Sequence, residues 1–316
     1  LTGTIMDIIS RLKSEDPSQQ LEAIQSLKTS LSGTNKKKGS VKNIENVEEV
    51  VLLLLDLVQT TTDDKVSRHA AKVLGDIARR AESTSERINK KIVDNGAFKQ
   101  LVELLNHSSP QVQEASLKLL GNLAAGEENE TQAILDAGLL ANLKPLLQSD
   151  SLQSVLREIC WLISNVAAGN PKQAQTILDA GLIPVMNDLL PTVSTPVQRE
   201  IVFTFGNIAA VGTPAQTGYL VSCGAFKTVC DLLETEEHQL LDVLLQTVAL
   251  VLKAGKTESE RTRFVAALEE AKGAEKIRTL QNHDEDGICE QASKILQILE
   301  GHDPEIASNN INSFSF

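Results

Sequence analysis

The sequence has few aromatic residues, and this scarcity constrains the fold class. Only 3% of its 316 residues are Phe, Trp or Tyr, with one Trp and one Tyr, although 41% are hydrophobic. A core must therefore consist of Leu, Ile, Val and Ala, which is typical of stacked helices rather than of a β-sandwich or barrel. The length suits two or three globular domains or one elongated repeat array.

Cysteines are also few, and their spacing argues against familiar cysteine chemistry. No CxxC pair occurs among Cys160, Cys223, Cys230 and Cys289. The sequence therefore indicates neither a zinc site nor a disulfide framework. We expect reduced, mostly buried thiols in an intracellular protein.

Positive charge and long apolar runs are lacking as well, which bears on the class of partner. Lys and Arg number 30 against 42 Asp and Glu, so the formal net charge is −12. This balance disfavours nucleic acid and favours a basic partner, unless it serves solubility alone. The apolar stretch 50–58 is too short to span a bilayer, and no signal peptide is present, so we expect no membrane partner. Because the chain begins with Leu1 rather than Met, we expect that an N-terminal segment has been removed.

What the sequence does contain is a motif that repeats about every 43 residues. Residues 134–138 and 177–181 both read Ile-Leu-Asp-Ala-Gly, residues 220–224 end similarly, and Gly96 lies 42 residues before Gly138. A second marker, with Asp76 in a degraded copy, keeps the same step at Asn122, Asn165 and Asn207. This period is typical of HEAT and armadillo repeats, not of leucine-rich repeats or propellers.

Each repeat follows one pattern. Gly96, suited to the left-handed conformation that ends a helix, precedes a helical segment at 99–105 and a polar turn at 106–110. The spacing of apolar residues predicts a longer amphipathic helix at 112–125 and a third, short helix near 131–136. Such units bury their apolar surface by stacking on their neighbours. The sequence therefore predicts an all-α, right-handed armadillo-repeat superhelical solenoid of about six to seven repeats.

The repeats also set the boundaries. We assign the solenoid to residues 1–300, with an atypical first unit at 1–45, a degraded unit at 46–95, regular units at 96–260 and a last unit at 261–300. The first unit is interrupted at 33–40, where the lysine run 36–38 is either a solvated loop or a localisation signal. We expect the polar tail 301–316 to be disordered.

Polar and aromatic residues recur on one face of the longer helix. The residue four positions before each marker Asn shares its face, which pairs Trp161 with Asn165 and Phe203 with Asn207. A Glu lies three positions before each aromatic residue, and Lys118 takes the aromatic position in an earlier repeat. We call this column the ladder, which consists of Lys118, Asn122, Glu158, Trp161, Asn165, Glu200, Phe203 and Asn207.

The chemistry of the ladder suits an extended peptide rich in Lys or Arg. Asn amides can donate to and accept from a peptide backbone. Aromatic faces hold aliphatic stems and attract the cationic heads, worth about 0.5–2 kcal/mol per contact. Glu carboxylates can then form charge-assisted hydrogen bonds with those heads. The alternative is that Trp161 and Phe203 belong to the core and that the asparagines cap helices or bridge repeats.

The segment around Trp161 resembles a known family motif. Residues 158–165, Glu-Ile-Cys-Trp-Leu-Ile-Ser-Asn, are similar to the importin-α (karyopherin-α) motif in which EACW is followed by two residues and SN. Segments 121–138, 206–221 and 268–283 resemble that family's sixth, eighth and tenth repeats, and residues 312–316 resemble its Phe-containing C-terminus. In the sixth repeat a basic residue replaces Trp, and Lys118 holds that place here. The chain is identified as a divergent, shortened member, with the resemblance weak over 1–95.

This resemblance implies a function. A nuclear import adaptor of this kind shuttles between nucleus and cytoplasm and binds nuclear localisation signals in extended form along its inner groove. The ladder would form a site like the family's minor site. Importin-β would bind through a segment that this chain does not contain, and the last unit, near 262–300, would face a nuclear export receptor. Neither a cofactor nor a metal is implied.

The chain also departs from the family's pattern. The family has about ten repeats, more than this chain can hold. Lys72 and Asp76 stand where the N-terminal, major site has Trp and a polar partner, and Lys72 would repel a cationic side chain. We therefore expect one working site, at the ladder.

Two other functions compete with this interpretation. An armadillo scaffold for other protein partners, without nuclear import, would use the same groove, and competition by a Lys/Arg-rich peptide would distinguish it. An enzyme has little support, since the five histidines lack metal-ligand spacing. The segment 255–257 lacks the earlier Gly of a P-loop, and the acidic residues 284–286 lack calcium-loop spacing.

Overall fold

The computed structural model describes residues 5–31, 46–80, 85–148 and 151–301. Within these ranges the regular elements are helices and none is a strand. The predicted all-α class is thereby confirmed for the described residues. The lysine run 36–38 and the tail from residue 302 onward lie outside the described residues, so the expectations about them stay predictions.

The chain divides into two compact units, Leu1–Pro145 and Leu146–Phe316. The boundary falls at Pro145 inside α9 (Leu139–Leu147), where proline cannot donate a helical hydrogen bond. The described part of the first unit contains α1 (Ile5–Leu12), α2 (Pro17–Leu31), α3 (Val47–Thr60), α4 (Asp64–Arg80), α5 (Ser85–Asp94), α6 (Ala97–Leu104), α7 (Pro110–Ala124) and α8 (Glu128–Asp136).

The second unit continues the same pattern of short and long helices. A 3₁₀ helix at Leu232–Glu234 separates two of them. Its described helices are α10 (Gln153–Ala167), α11 (Pro171–Asp179), α12 (Leu182–Leu189), α13 (Thr195–Val211), α14 (Pro214–Ser222), α15 (Ala225–Asp231), α16 (His238–Lys253), α17 (Glu258–Glu270), α18 (Gly273–Leu280) and α19 (Asp286–Leu299).

The helices predicted at 99–105, 112–125 and 131–136 correspond to α6, α7 and α8. All three begin earlier than predicted, and the cause is identifiable for α7 and α8. Pro110 takes the first turn of α7, where its missing N–H is not needed. At α8, a capping box between Glu127 and Glu130 closes the first turn and extends the helix toward its N-terminus.

The marker glycines have the conformation that the sequence predicts. Gly96, Gly138, Gly181 and Gly224 have φ angles of 66°, 84°, 63° and 86°, in the left-handed region where a side chain is unfavourable. In the last repeat Lys272 takes this place with a φ of 54°. A residue with a Cβ atom costs about 1–2 kcal/mol in that conformation, so the last repeat carries a strain that the regular repeats avoid.

The long helices pack side by side, which positions the ladder. In the second unit α10 packs on α13, α13 on α16, and α16 on α19, and in the first unit α4 packs on α7. Their inward side chains are aliphatic, as the scarcity of aromatics predicts, with Ile159 and Ile163 of α10 at 0% exposure. Burying each such side chain stabilises the fold by about 1.5–3 kcal/mol.

The cysteines behave as packing residues. All four are free thiols; Cys160 and Cys230 are buried, whereas Cys223 and Cys289 are partly exposed. Burial raises the pKa of Cys230 to about 12 and that of Cys160 further, so both stay protonated at neutral pH. The expectation of mostly buried thiols therefore holds for two of the four.

Candidate functional site

Trp161 on α10 and Phe203 on α13 lie at the edge between core and solvent. Both side chains are partly exposed, whereas Phe205, two residues along α13, is only 1% exposed. The helical turn explains the difference, because residues two apart point in different directions. The two ladder aromatics therefore have faces that a ligand can contact.

The marker asparagines take part in packing between repeats. The Nδ2 of Asn207 donates to the Ser164 carbonyl of α10 at 2.9 Å, and the Nδ2 of Asn122 donates to the Ala78 carbonyl of α4 at 3.1 Å. This is the bridging role that the sequence left as an alternative. Asn207 is only 4% exposed, so little of it is open to a ligand. Asn122 and Asn165, which are partly exposed, are better placed to contact a peptide backbone.

The ladder carboxylates share one environment across α10 and α13. The Glu158 Oε1 atom lies 3.7 Å from the Arg157 Nη1 atom, and Glu158 is 9% exposed. Burial raises the pKa of Glu200, and neighbouring Glu158 raises it further, while Arg157 and Arg199 oppose the shift. Because α10 packs on α13, and Asn207 donates to the Ser164 carbonyl, the two sets of ladder residues in the second unit lie close together.

Lys118 and Asn122 belong to the first unit. The Nζ atom of Lys118 lies 2.5 Å from the Oε1 of Glu114, one turn earlier, and the Lys118 side chain is 15% exposed. Its stem passes near Gly75 of α4, where the absence of a side chain leaves space. The paired ammonium of Lys118 therefore repels a cationic ligand less than an unpaired one would. The side chain of Lys72, at the corresponding position of α4, is exposed.

A cavity of about 410 Å³ lies beside Phe203, between α13, α16 and the start of α19. We call it the Phe203 cavity. Repeat markers could not reveal it, because α16 has Gln246 and Leu250 at the positions 43 residues after Phe203 and Asn207. Its lining residues are Arg199, Phe203, His238, Gln239, Asp242, Val243, Gln246, Glu285, Gly287 and Ile288.

Two histidines that the sequence presents as isolated meet at the rim of this cavity. The ring centroids of His238 and His283 lie 5.1 Å apart, and the Nδ1 of His238 is 3.3 Å from the Oε1 of Glu285. No group of three or more His, Cys, Asp or Glu in the described part of the chain could hold a metal ion. Nor is any of the described helices long and apolar enough to cross a membrane.

A second cavity, of about 640 Å³, lies among α15, α17 and α18. Two of its cations are already engaged: the Nζ of Lys227 is 2.6 Å from the Oδ2 of Asp231, and that of Lys276 is 3.1 Å from the Oε2 of Glu234. Lys276 also donates to the Cys230 carbonyl near the end of α15. These contacts attach the last repeat to the one before it.

Comparison with known proteins identifies the repeat. Residues 90–125 match the Armadillo/beta-catenin-like repeat family. Importin subunit alpha-3 of Arabidopsis thaliana is 36% identical over 274 residues, which make up 85% of this chain and 51% of that protein. Importin subunit alpha-1b of Oryza sativa subsp. japonica is 34% identical over 283 residues, 87% of this chain and 52% of that protein.

Two engineered proteins of known structure are similar to this chain in architecture. A designed armadillo repeat protein in complex with the peptide (KR)4 matches with a TM-score of 0.68 and 26% identity, over 79% of this chain and 98% of that one. The designed armadillo repeat protein YIII(Dq)4CqI matches with a TM-score of 0.67 and 28% identity, over 78% and 99%.

The similarity to importin-α extends over most of this chain, while the chain spans about half the length of the curated relatives it matches. The 43-residue repeat, the left-handed glycines and the stacked helices all agree with that similarity. The chain is an importin-α-like armadillo-repeat protein.

Proposed function

We propose that this chain is a peptide-binding adaptor, not an enzyme, and that it binds Lys/Arg-rich nuclear localisation signals in extended form on the ladder. The observation that carries the proposal is the repeated arrangement on α10 and α13. Each helix has a partly exposed aromatic residue, Trp161 or Phe203, with a carboxylate three residues earlier. Lys118 and Asn122 of the first unit are included as predicted ligand contacts.

The spacing of the helices suits an extended ligand. Packed helices lie about 8–10 Å apart, and an extended peptide advances about 3.3 Å per residue. Side chains two residues apart share one face of an extended peptide at a spacing of about 6.6 Å, so these come nearest to the spacing of successive ladder aromatics. The stems of Lys or Arg would lie on the aromatic faces, with their charges toward Glu158 and Glu200.

The wider role in transport is part of the proposal and is supported by the similarity to importin α subunits. A chain with this role would shuttle between nucleus and cytoplasm. It would bind importin-β through a segment outside this chain, and a nuclear export receptor through its last repeat, α17 to α19. The net charge of −12 favours long-range attraction of basic cargo.

Calorimetric titration with (KR)4 tests the binding function directly. We expect micromolar or tighter binding that weakens as salt rises, because screening shortens the Debye length from about 10 Å at 0.1 M to 3 Å at 1 M. An alanine-substituted peptide of equal length is the control and should release no heat. If (KR)4 neither binds nor competes for the groove, the chain is an armadillo scaffold for other partners.

Acidification should weaken this binding earlier than ordinary carboxylates would. Because burial raises the pKa of Glu200 above 4.5, this side chain takes up a proton, and loses its charge, at a higher pH than an exposed Glu. The Lys and Arg of the ligand do not titrate in that range. We expect Glu200→Gln to weaken (KR)4 binding about three- to tenfold at neutral pH and to flatten its decline on acidification.

The matched control is Glu269→Gln on α17, an exposed carboxylate away from the ladder. It should leave both the affinity and its pH profile close to those of the unmodified chain. If Glu200→Gln retains the full decline on acidification, Glu200 is not a charge that the ligand senses.

A further inference from the structure

The ladder aromatics end at Phe203, and the Phe203 cavity lies next along the same unit. Besides Phe203, its apolar wall includes Val243 of α16 and Ile288 of α19, which are 3% and 4% exposed. Its volume of about 410 Å³ is that of a small ligand site. A lipophilic wall with polar groups at its rim suits a long side chain that carries its charge at the tip.

Asp242 gives this cavity a fixed negative charge. Its Oδ2 atom accepts a hydrogen bond from Gln246 Nε2 at 2.8 Å, and its Oδ1 atom accepts one from Gln291 of α19. Both donors are neutral amides, which orient the carboxylate without cancelling its charge. The ion pairs found in the described part of the second unit do not include Asp242.

One position of the long helices carries a cation in α10 and α13 but a carboxylate in α16. Four residues before the aromatic position, α10 has Arg157 and α13 has Arg199, whereas α16 has Asp242. The Nη1 of Arg199 donates to Gln239 Oε1 at 2.8 Å, so this cation reaches from α13 to the first turn of α16. Glu285, before α19, adds a second carboxylate to the lining. The cavity is thus lined by one Arg and two carboxylates, of which Glu285 lies 3.3 Å from His238 and Asp242 is held by neutral amides.

We propose that the Phe203 cavity is an additional subsite of the peptide-binding face, which takes one Lys or Arg side chain of the bound peptide. Phe203 and Val243 contact the aliphatic stem, and Asp242 binds the charged head. This inference rests on the proposed function and extends it. In α16 a carboxylate replaces the aromatic residue as the group that attracts the cation, since Gln246 has no aromatic face.

The distance between helices sets the length of the ligand. The ligand side chain nearest to one further helix spacing of about 8–10 Å is the next one on the same face, two residues along the extended peptide. A peptide that lies on Trp161 and Phe203 therefore needs a cation two residues further along to fill the cavity. An octapeptide such as (KR)4 is long enough for both.

The test is calorimetry of the full chain with (KR)4 and with two versions that have Ala-Ala at one end or the other. Emission of Trp161, the only Trp in the chain, reports occupation of the ladder in the same samples. Asp242→Asn should weaken (KR)4 binding about tenfold. The control Asp188→Asn removes the same charge from an exposed position on α12 outside the cavity, and should change affinity less than about twofold.

The alanine-ended peptides locate the contact. With one of them the effect of Asp242→Asn should disappear, because that peptide places no cation in the cavity. Arg199→Gln should act in the opposite direction and tighten (KR)4 binding about threefold, a gain that a misfolded variant would not show.

Equal effects of Asp242→Asn and Asp188→Asn would overturn the subsite while leaving the ladder intact. So would an effect of Asp242→Asn that is the same with all three peptides. Failure of the unmodified chain to bind (KR)4, with no change in Trp161 emission, overturns the proposed function itself and the subsite with it.

Discussion

Replacing both Trp161 and Phe203 by alanine is expected to weaken binding of (KR)4 by about thirtyfold or more, while the chain stays folded. Each aromatic face contributes about 1 kcal/mol or more to holding a cationic side chain. Losing both removes about 2 kcal/mol in total, which corresponds to that factor. Both residues are partly exposed, so their removal takes little from the core. Calorimetry measures the affinity, and far-UV circular dichroism measures the helix content.

The only tyrosine provides a matched control for this double variant. Tyr219 on α14 is a partly exposed aromatic residue outside the ladder, so Tyr219→Ala should leave peptide affinity unchanged. If the folded double variant binds (KR)4 as well as the unmodified chain, the ladder is not the binding site. The scaffold alternative would then be preferred.

Replacing Phe205 by alanine is expected to lower the free energy of unfolding by about 3–5 kcal/mol. Phe205 is 1% exposed, on the helix that packs against both α10 and α16. Truncation leaves a cavity that the neighbouring helices fill only in part, so the lost apolar contacts are not recovered. Urea denaturation followed by circular dichroism measures the change, in the transition that reports the second unit.

The informative comparison is with Phe203→Ala on the same helix. That variant should lower the free energy of unfolding by about 1 kcal/mol or less, since its side chain is partly exposed, yet it should weaken peptide binding. Phe205→Ala should do the reverse as long as the chain is folded. Similar stability losses from the two substitutions would show that Phe203 is a core residue, as the alternative interpretation holds.

The sequence predicted the fold well because its markers are local. A left-handed turn needs Gly or a substitute for it, and Gly96, Gly138, Gly181 and Gly224 have that conformation. The helix periodicity likewise predicted α6, α7 and α8, with errors at the N-termini where capping decides the first turn.

The site was harder to predict, because its properties depend on distant contacts. Spacing along a helix placed Asn207 on the ladder face, but only packing against α10 shows that it is buried and donates to Ser164. The raised pKa of Glu200 follows from burial, which sequence does not reveal. The Phe203 cavity needed three helices to be brought together, and α16 lacks the repeat markers that would have drawn attention to Asp242.

The bond from Asn207 to the Ser164 carbonyl has a consequence for how such a groove can change. It fixes the register of α13 against α10, so the interval between Trp161 and Phe203, which sets the spacing of ligand side chains, is fixed as well. Losing a whole repeat would shorten the groove without altering the spacing between the contacts that remain. Losing one residue of α13 before Phe203 would turn that side chain by about 100° relative to the residues before it and change its spacing from Trp161. The number of repeats can therefore vary by whole units while recognition of the peptide is retained.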